Sequence, residues 1–297
     1  MTSVGAPVVA ITGAAGFIGR NLCGHLRRRG WLVRAFVRNP SSYPFTESGI
    51  QVHACDLPGT LDEDALGSAQ AVVHCAYVTR HMDLEQARRV NDAGTRRVVE
   101  AARRGGLARL VFLSSQSAHA EALSYYGRSK FALEALFSGE RDTVVRPGLV
   151  LGPGDAGLFA RMCETVRRSR IIPLFGGGRQ PLQTVHVDDL CAAITSILER
   201  GLPGLFTVAE PTPVGMRAFL ELVAGRMGSR PLMVPLPMAP ALFTLRSLEA
   251  LRIPLPVSSE NLLGLKQMRA VDTRRDLAAL GISARTARES IEAIFRA

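Results

Sequence analysis

The chain has 297 residues, 47% of them hydrophobic, and a formal net charge of +10, enough apolar sequence for one large domain or two lobes. No uninterrupted apolar run approaches the ~18 residues of a membrane span. Cys23, Cys55, Cys75, Cys163 and Cys191 are odd in number and lack any Cys-x-x-Cys pair, which favours reduced thiols in a cytoplasmic protein over a disulfide framework or a zinc site. The N-terminus lacks a basic start and moves directly into a strand-like run, so no signal peptide is predicted. The charge raises nucleic acid or an anionic membrane as partners. Lys130 and Lys266 are the only lysines, however, and the arginines lie in short, dispersed clusters such as Arg88-Arg89 and Arg167-Arg168. Solvated, arginine-biased helix faces are the preferred reading, with no nucleic-acid partner.

Pro7–Thr12 is a short β-branched run, followed by Gly13-Ala-Ala-Gly16-Phe-Ile-Gly19 and the amphipathic Arg20–Arg29. Strand, glycine turn and helix stand in the order that a dinucleotide site requires. The glycines permit a tight turn and let a pyrophosphate approach the helix N-terminus, while the last one allows helix and strand to pack closely. A second strand, Trp31–Val37, ends at Arg38 with no acidic residue to bind the adenosine ribose. A guanidinium there suits the 2′-phosphate of NADP(H), which is therefore expected in preference to NAD(H). Gly49–Cys55 leads into Asp56-Leu57, where the carboxylate is placed to meet the adenine amine.

Ala71–Cys75 ends at Ala76, and a long helix from about Asp83 to Arg104 carries Asn91 and Gly94-Thr95. Arg109–Leu113 runs into Ser114-Ser115. The next helix, Tyr126 to Phe137, holds a tyrosine and a lysine four residues apart, hence on one face. An ammonium beside the Tyr126 phenol lowers its pKa and makes it a usable acid/base. A further strand, Asp142–Arg146, ends at Pro147-Gly148. Strands alternating with helices predict a doubly wound parallel sheet, with ligands at the strands' carboxyl ends. Gly13, Arg38, Asp56, Ala76, Ser115 and Pro147 all fall at such ends. Residues 1–147 are expected to form a Rossmann domain. From 148 the composition changes to Gly/Pro-rich, with prolines and apolar residues mixed from Pro231 to Pro256. This predicts a smaller, mainly C-terminal substrate-binding lobe over 148–297, from which 181–210 returns to the sheet through Leu205–Ala209. His186-Val-Asp-Asp189 reads as a strand end capping the helix Leu190–Glu199.

In this order, Thr12–Gly19, Val73–Ala76, Asn91–Thr95, Phe112–Ser115, Tyr125–Lys130, Val145–Pro147, Gly152–Asp155 and His186–Asp189 resemble the extended short-chain dehydrogenase/reductase family, the NAD-dependent epimerase/dehydratase group. The resemblance spans nearly the whole chain. It implies Tyr126 as the acid/base, Lys130 as the residue that lowers its pKa and bonds the nicotinamide ribose, and Ser115, rather than Ser114, as the holder of the substrate oxygen. Asn91 would orient the active-site segment and Pro147 begin the loop near the nicotinamide. The cofactor set is then Gly13, Gly16, Phe17, Ile18, Gly19, Arg38, Asp56, Leu57, Ala76, Asn91, Tyr126, Lys130 and Pro147. Relatives commonly dimerise through two helices, here Asp83–Arg104 and Leu123–Phe137.

Departures narrow the substrate. Leu182 stands where members acting on nucleotide sugars usually carry an arginine, Arg179 is out of register, and His119-Ala120 replaces Tyr-Gly. The stretch Leu232–Leu251 is apolar. The expected activity is hydride transfer between an exchangeable NADP(H) and a carbonyl or secondary alcohol less polar than a nucleotide sugar. The alternatives are a sugar epimerase or dehydratase that retains NAD, and a non-catalytic NADPH-binding sensor or assembly protein. Substrate identity and reaction direction are not written in the sequence.

Overall fold

The computed structural model describes residues 6–43, 48–79, 84–106, 109–154, 157–251 and 258–296. Asp83, Asp155 and the 252–256 part of the Pro/apolar stretch lie outside them. In the N-terminal half, β1 (Val8–Thr12), α1 (Phe17–Arg28), β2 (Leu32–Val37), β3 (Ile50–Asp56), β4 (Thr60–Leu61), α2 (Glu63–Gly67) and β5 (Ala71–His74) are followed by α3 (Leu84–Arg88), α4 (Gly94–Arg104), β6 (Leu110–Leu113), α5 (Tyr125–Glu134) and β7 (Thr143–Pro147). Then come β8 (Leu149–Leu151), α6 (Leu158–Arg168), β9 (Ile171–Phe175), β10 (Pro181–Leu182), β11 (Thr184–His186), α7 (Val187–Arg200) and β12 (Gly204–Val208). The chain closes with β13 (Val214–Gly215), α8 (Met216–Arg226), β14 (Leu232–Leu236), α9 (Met238–Ala250), α10 (Ser259–Lys266), α11 (Arg274–Leu280) and α12 (Ala287–Arg296).

The main sheet has eight strands in the order β12-β7-β6-β5-β1-β2-β3-β4, parallel except for β4. It is the Rossmann-type doubly wound α/β architecture. The order reverses between β1 and β5, which opens a crevice at their carboxyl ends. Parallel strands are covered on both faces and so read as continuous apolar runs; β5 and β6 are buried throughout. Leu22 and Leu26 of α1 pack with Leu190, Ile194 and Ile197 of α7 on one face. Leu66, Val98, Ala102 and Leu133, from α2, α4 and α5, cover the other. A third core joins Phe159, Ile172, Leu174, Leu182, Phe219 and Ile291 in the second lobe.

Around the Tyr126–Lys130 pair, two elements differ from their sequence reading. The helix expected up to Arg104 is interrupted by a π-helical turn, Arg89–Ala93, which holds Asn91. The helix expected over Tyr126–Phe137 spans Tyr125–Glu134, because Ser124 caps it by accepting a hydrogen bond from the Gly127 amide at 3.2 Å.

Candidate active site

The carboxyl end of β1 turns into α1 through Gly13, whose φ of +68° suits glycine alone. A Cβ on Gly19 would stand 2.3 Å from the Gly13 carbonyl oxygen, so helix and turn touch backbone to backbone. Gly16 precedes α1 without a side-chain cap, and no acidic residue occupies the first turn. The leading amides are thus left for an anion. This cradle fits a dinucleotide pyrophosphate. Phe17 and Ile18 open α1; Phe17 lies under the Arg20 guanidinium, 5.6 Å from its ring centroid.

Arg38 and Asp56 are both exposed, one just beyond β2 and one at the end of β3. Leu57 packs against Gly94 of α4. Ala76 follows β5, its amide donating to the Thr12 hydroxyl at 3.4 Å. The buried Asn91 clamps the chain just beyond: Val78 donates to its Oδ1 at 2.8 Å, and its Nδ2 donates to the Val78 carbonyl at 3.1 Å. Pro147 ends β7, buried, and its carbonyl accepts from the Gln116 amide at 3.0 Å.

Tyr126 and Lys130 lie on α5, with Ser115 beside the phenol. Burial raises the Tyr126 pKa, and the Ser115 side chain acts in the opposite direction. Lys130 is 3% exposed. Its ammonium donates to the Leu113 carbonyl at 2.6 Å and lies over the Tyr77 and Phe112 rings, 4.1 and 4.6 Å from their centroids. Burial brings its pKa down to about 7. This differs from the sequence expectation that Lys130 lowers the phenol's pKa. The ammonium is turned to a carbonyl and two ring faces, and desolvation outweighs other effects on both groups. Ser114 is engaged elsewhere: its hydroxyl donates to Glu134 Oε1 at 2.5 Å, and Arg146 holds the same carboxylate at 2.8 and 2.5 Å.

The supporting contacts were missed in the sequence. Tyr77 meets Tyr126 edge-on at 5.5 Å. His74 bridges two hydroxyls, 2.7 Å from Thr12 Oγ1 and 3.0 Å from Thr95 Oγ1. Burial, then the Lys130 charge, depresses its pKa to about 3, so it stays neutral and gives one bond while accepting the other. Ser129 donates to Asp92 at 2.9 Å, tying α5 to the π-helical turn. A histidine ending an apolar strand was the one visible signal among these.

From the second lobe, Glu260 accepts from the Tyr125 amide at 2.6 Å, and Gln267 donates to the Glu121 carbonyl at 2.5 Å. Leu182 is buried in that lobe's core, whereas Arg179 is exposed.

Residues 9–209 match the model of the NAD dependent epimerase/dehydratase family. The chain belongs to that family. It is 34% identical over 241 residues to a ceramide reductase of Caulobacter vibrioides, covering 77% of this chain and 74% of that one. It is 28% identical over 247 residues to the 4-hydroxy-2-methyl-3-oxo-4-farnesyl-3,4-dihydroquinoline-1-oxide ketoreductase of Stigmatella aurantiaca, covering 73% and 72%. The solved structure of MoeE5 in complex with UDP-glucose and NAD superposes with a TM-score of 0.74 over 97% of each chain at 24% identity, a likeness of fold. This family member is an NAD(P)-dependent oxidoreductase of the extended short-chain dehydrogenase/reductase type. Among the described residues, no helix is long and apolar enough to cross a membrane.

Proposed function

We propose that the protein transfers hydride between exchangeable NADP(H) and a carbonyl or secondary alcohol on an apolar molecule, with Tyr126 as the proton donor and acceptor. The observation that carries this reading is the convergence of Tyr126, Ser115 and Lys130 at the carboxyl end of β6, beside the β1–β5 crevice. The dinucleotide supplies the hydride donor or acceptor when bound. Gly13, Gly16, Phe17, Ile18 and Gly19 form its pyrophosphate cradle. Arg38 would meet the 2′-phosphate, Asp56 and Leu57 would hold the adenine, and Ala76 and Pro147 would lie toward the nicotinamide. Asn91 positions the segment after β5 through its two bonds to Val78.

In the reducing direction the Tyr126 hydroxyl gives its proton to the substrate oxygen, held by Ser115; oxidation reverses the transfer. Burial keeps the phenol protonated before substrate arrives, which suits the donor role. Lys130 would hold the ribose of a bound cofactor, a further partner that would favour its ammonium and so the phenolate.

An apolar substrate is supported by Leu182: a buried leucine offers no guanidinium to a sugar-nucleotide diphosphate. The relatives' names, a ceramide reductase and a ketoreductase of a farnesyl-bearing quinoline, fit this reading. Residues 148–297, apart from the 181–210 part that returns to the main sheet, are assigned mainly to substrate, and α4 with α5 to a homodimer contact, where Phe131 is 40% exposed.

Denaturing the purified protein and identifying any released dinucleotide by mass spectrometry tests the exchangeable cofactor. An empty site that binds added NADPH is expected. Tightly retained NAD, with heat stabilisation by a UDP- or TDP-sugar and not by apolar ketones, would replace this reading with the epimerase one.

A further inference from the structure

The stretch Leu232–Leu251 turns four large apolar side chains outward, Leu232, Leu236, Phe243 and Leu251. β9 and β14 pair in parallel, with Ile171 opposite Leu232, Pro173 opposite Val234, and Phe175 opposite Leu236. Side chains alternate across a strand. Ile172 and Leu174 enter the lobe's core, which leaves Ile171, Pro173, Leu232 and Leu236 on an uncovered face. α9 begins two residues later and adds a row of its own. Pro240, Phe243, Ser247 and Leu251 recur at helical spacing and are all exposed, Phe243 by 75% and Leu251 by 71%. Leu242 on the inner side is buried. A surface helix with apolar residues on both sides has a second apolar environment to meet.

Charge identifies that environment. Arg170 and Arg230 stand at the start of the ribbon, Arg179 beyond its far end and Arg246 on α9, all exposed. No carboxylate among the described residues pairs with any of them. Many other arginines are neutralised, as in Arg29–Glu199, Arg97–Glu63 and Arg226–Glu292. The nearby acids are already committed: Glu249 accepts from the Ser259 amide and hydroxyl, and Glu164 and Glu221 pair with Arg167, Arg168 and Arg217. Apolar side chains rimmed by unneutralised guanidinium groups match the headgroup–acyl boundary of an anionic bilayer. A second copy seated on this face would set arginine against arginine.

We propose that α9 and the open face of the β9–β14 ribbon dock peripherally on an anionic lipid bilayer. Phe243 and Leu251 enter the acyl boundary, and Arg170, Arg230 and Arg246 meet lipid phosphates. The docking helix connects with the reaction centre: Glu249 on α9 holds the start of α10, and Glu260 on α10 holds the Tyr125 amide. That the membrane also delivers substrate rests on the apolar-substrate reading above; the docking does not.

Flotation of the full chain with vesicles tests this without turnover. The protein should rise with vesicles of phosphatidylcholine and phosphatidylglycerol in equal parts, stay behind with phosphatidylcholine alone, and be released as salt increases. Phe243→Glu should lower partitioning about tenfold or more, and Arg170→Glu, Arg230→Glu and Arg246→Glu at least about fivefold each. NADPH binding should be unchanged in all four variants, which establishes that they fold. Tyr126→Phe should float like the wild type, so loss of the catalytic reading leaves this one standing. Wild-type protein that ignores the mixed vesicles, or a Phe243→Glu variant that floats equally well, overturns the proposal. So does a Phe243→Glu variant whose only change is a smaller oligomer, which would assign the face to a second copy.

Discussion

Lys130→Met removes the ammonium and keeps an unbranched stem of similar length. In the fold the Lys130 pKa is brought from 10.5 to about 7. At ~1.36 kcal/mol per tenfold change, this corresponds to roughly 5 kcal/mol for holding the charged form. Because the folded pKa lies below the unfolded one, the unfolded chain binds the extra proton between about pH 7 and 10.5. Wild-type stability on this account rises with pH across that window and carries the whole penalty below it. Urea midpoints for the cofactor-free protein should therefore show Lys130→Met more stable by roughly 5 kcal/mol at pH 6. The gap should close as pH approaches 10.5. A pH-independent gap, or a variant weaker than wild type at pH 6, would refute the reasoning.

Gly19→Ala drives a Cβ into the Gly13 carbonyl; a loss of about 1–3 kcal/mol and a smaller NADPH-induced thermal shift are expected. Arg38→Glu should raise the Kd for NADPH about 10–100-fold, the range of a lost charge-assisted contact, and leave NADH nearly unaffected; equal effects on both, read by fluorescence titration, would remove the 2′-phosphate assignment. Asn91→Leu strands the Val78 amide and carbonyl and should destabilise by about 2–4 kcal/mol in chemical denaturation, with kcat reduced.

The fold was legible because most of the parallel strands are short apolar runs, those of β1, β6 and β7 ended by Gly13, Ser114 and Pro147, and the helices between them carry one apolar face. The glycine turn and the Tyr126/Lys130 pair were readable for a related reason: their chemistry depends on local spacing. What surrounds the pair was not. The Thr12–His74–Thr95 bridge joins residues 62 and 21 positions apart, and Tyr77 reaches Tyr126 only through the sheet order. Sequence spacing set an ammonium near a phenol; burial then decided the direction of both pKa values. The π-helical turn that carries Asn91 was hidden inside an unbroken helical pattern. The apolar Leu232–Leu251 stretch gave no sign of which side faced water, since α9 is apolar on both.

The central claim is hydride transfer completed by a proton from Tyr126. The direct measurement is deuterium transfer from C4-deuterated NADPH to a panel of apolar ketones, run in parallel with wild type and Tyr126→Phe. The wild type should place one deuterium on the carbinol carbon of a product, and the variant should do so about 10²–10⁴-fold more slowly while binding NADPH as tightly. Equal rates for the two proteins would contradict the account.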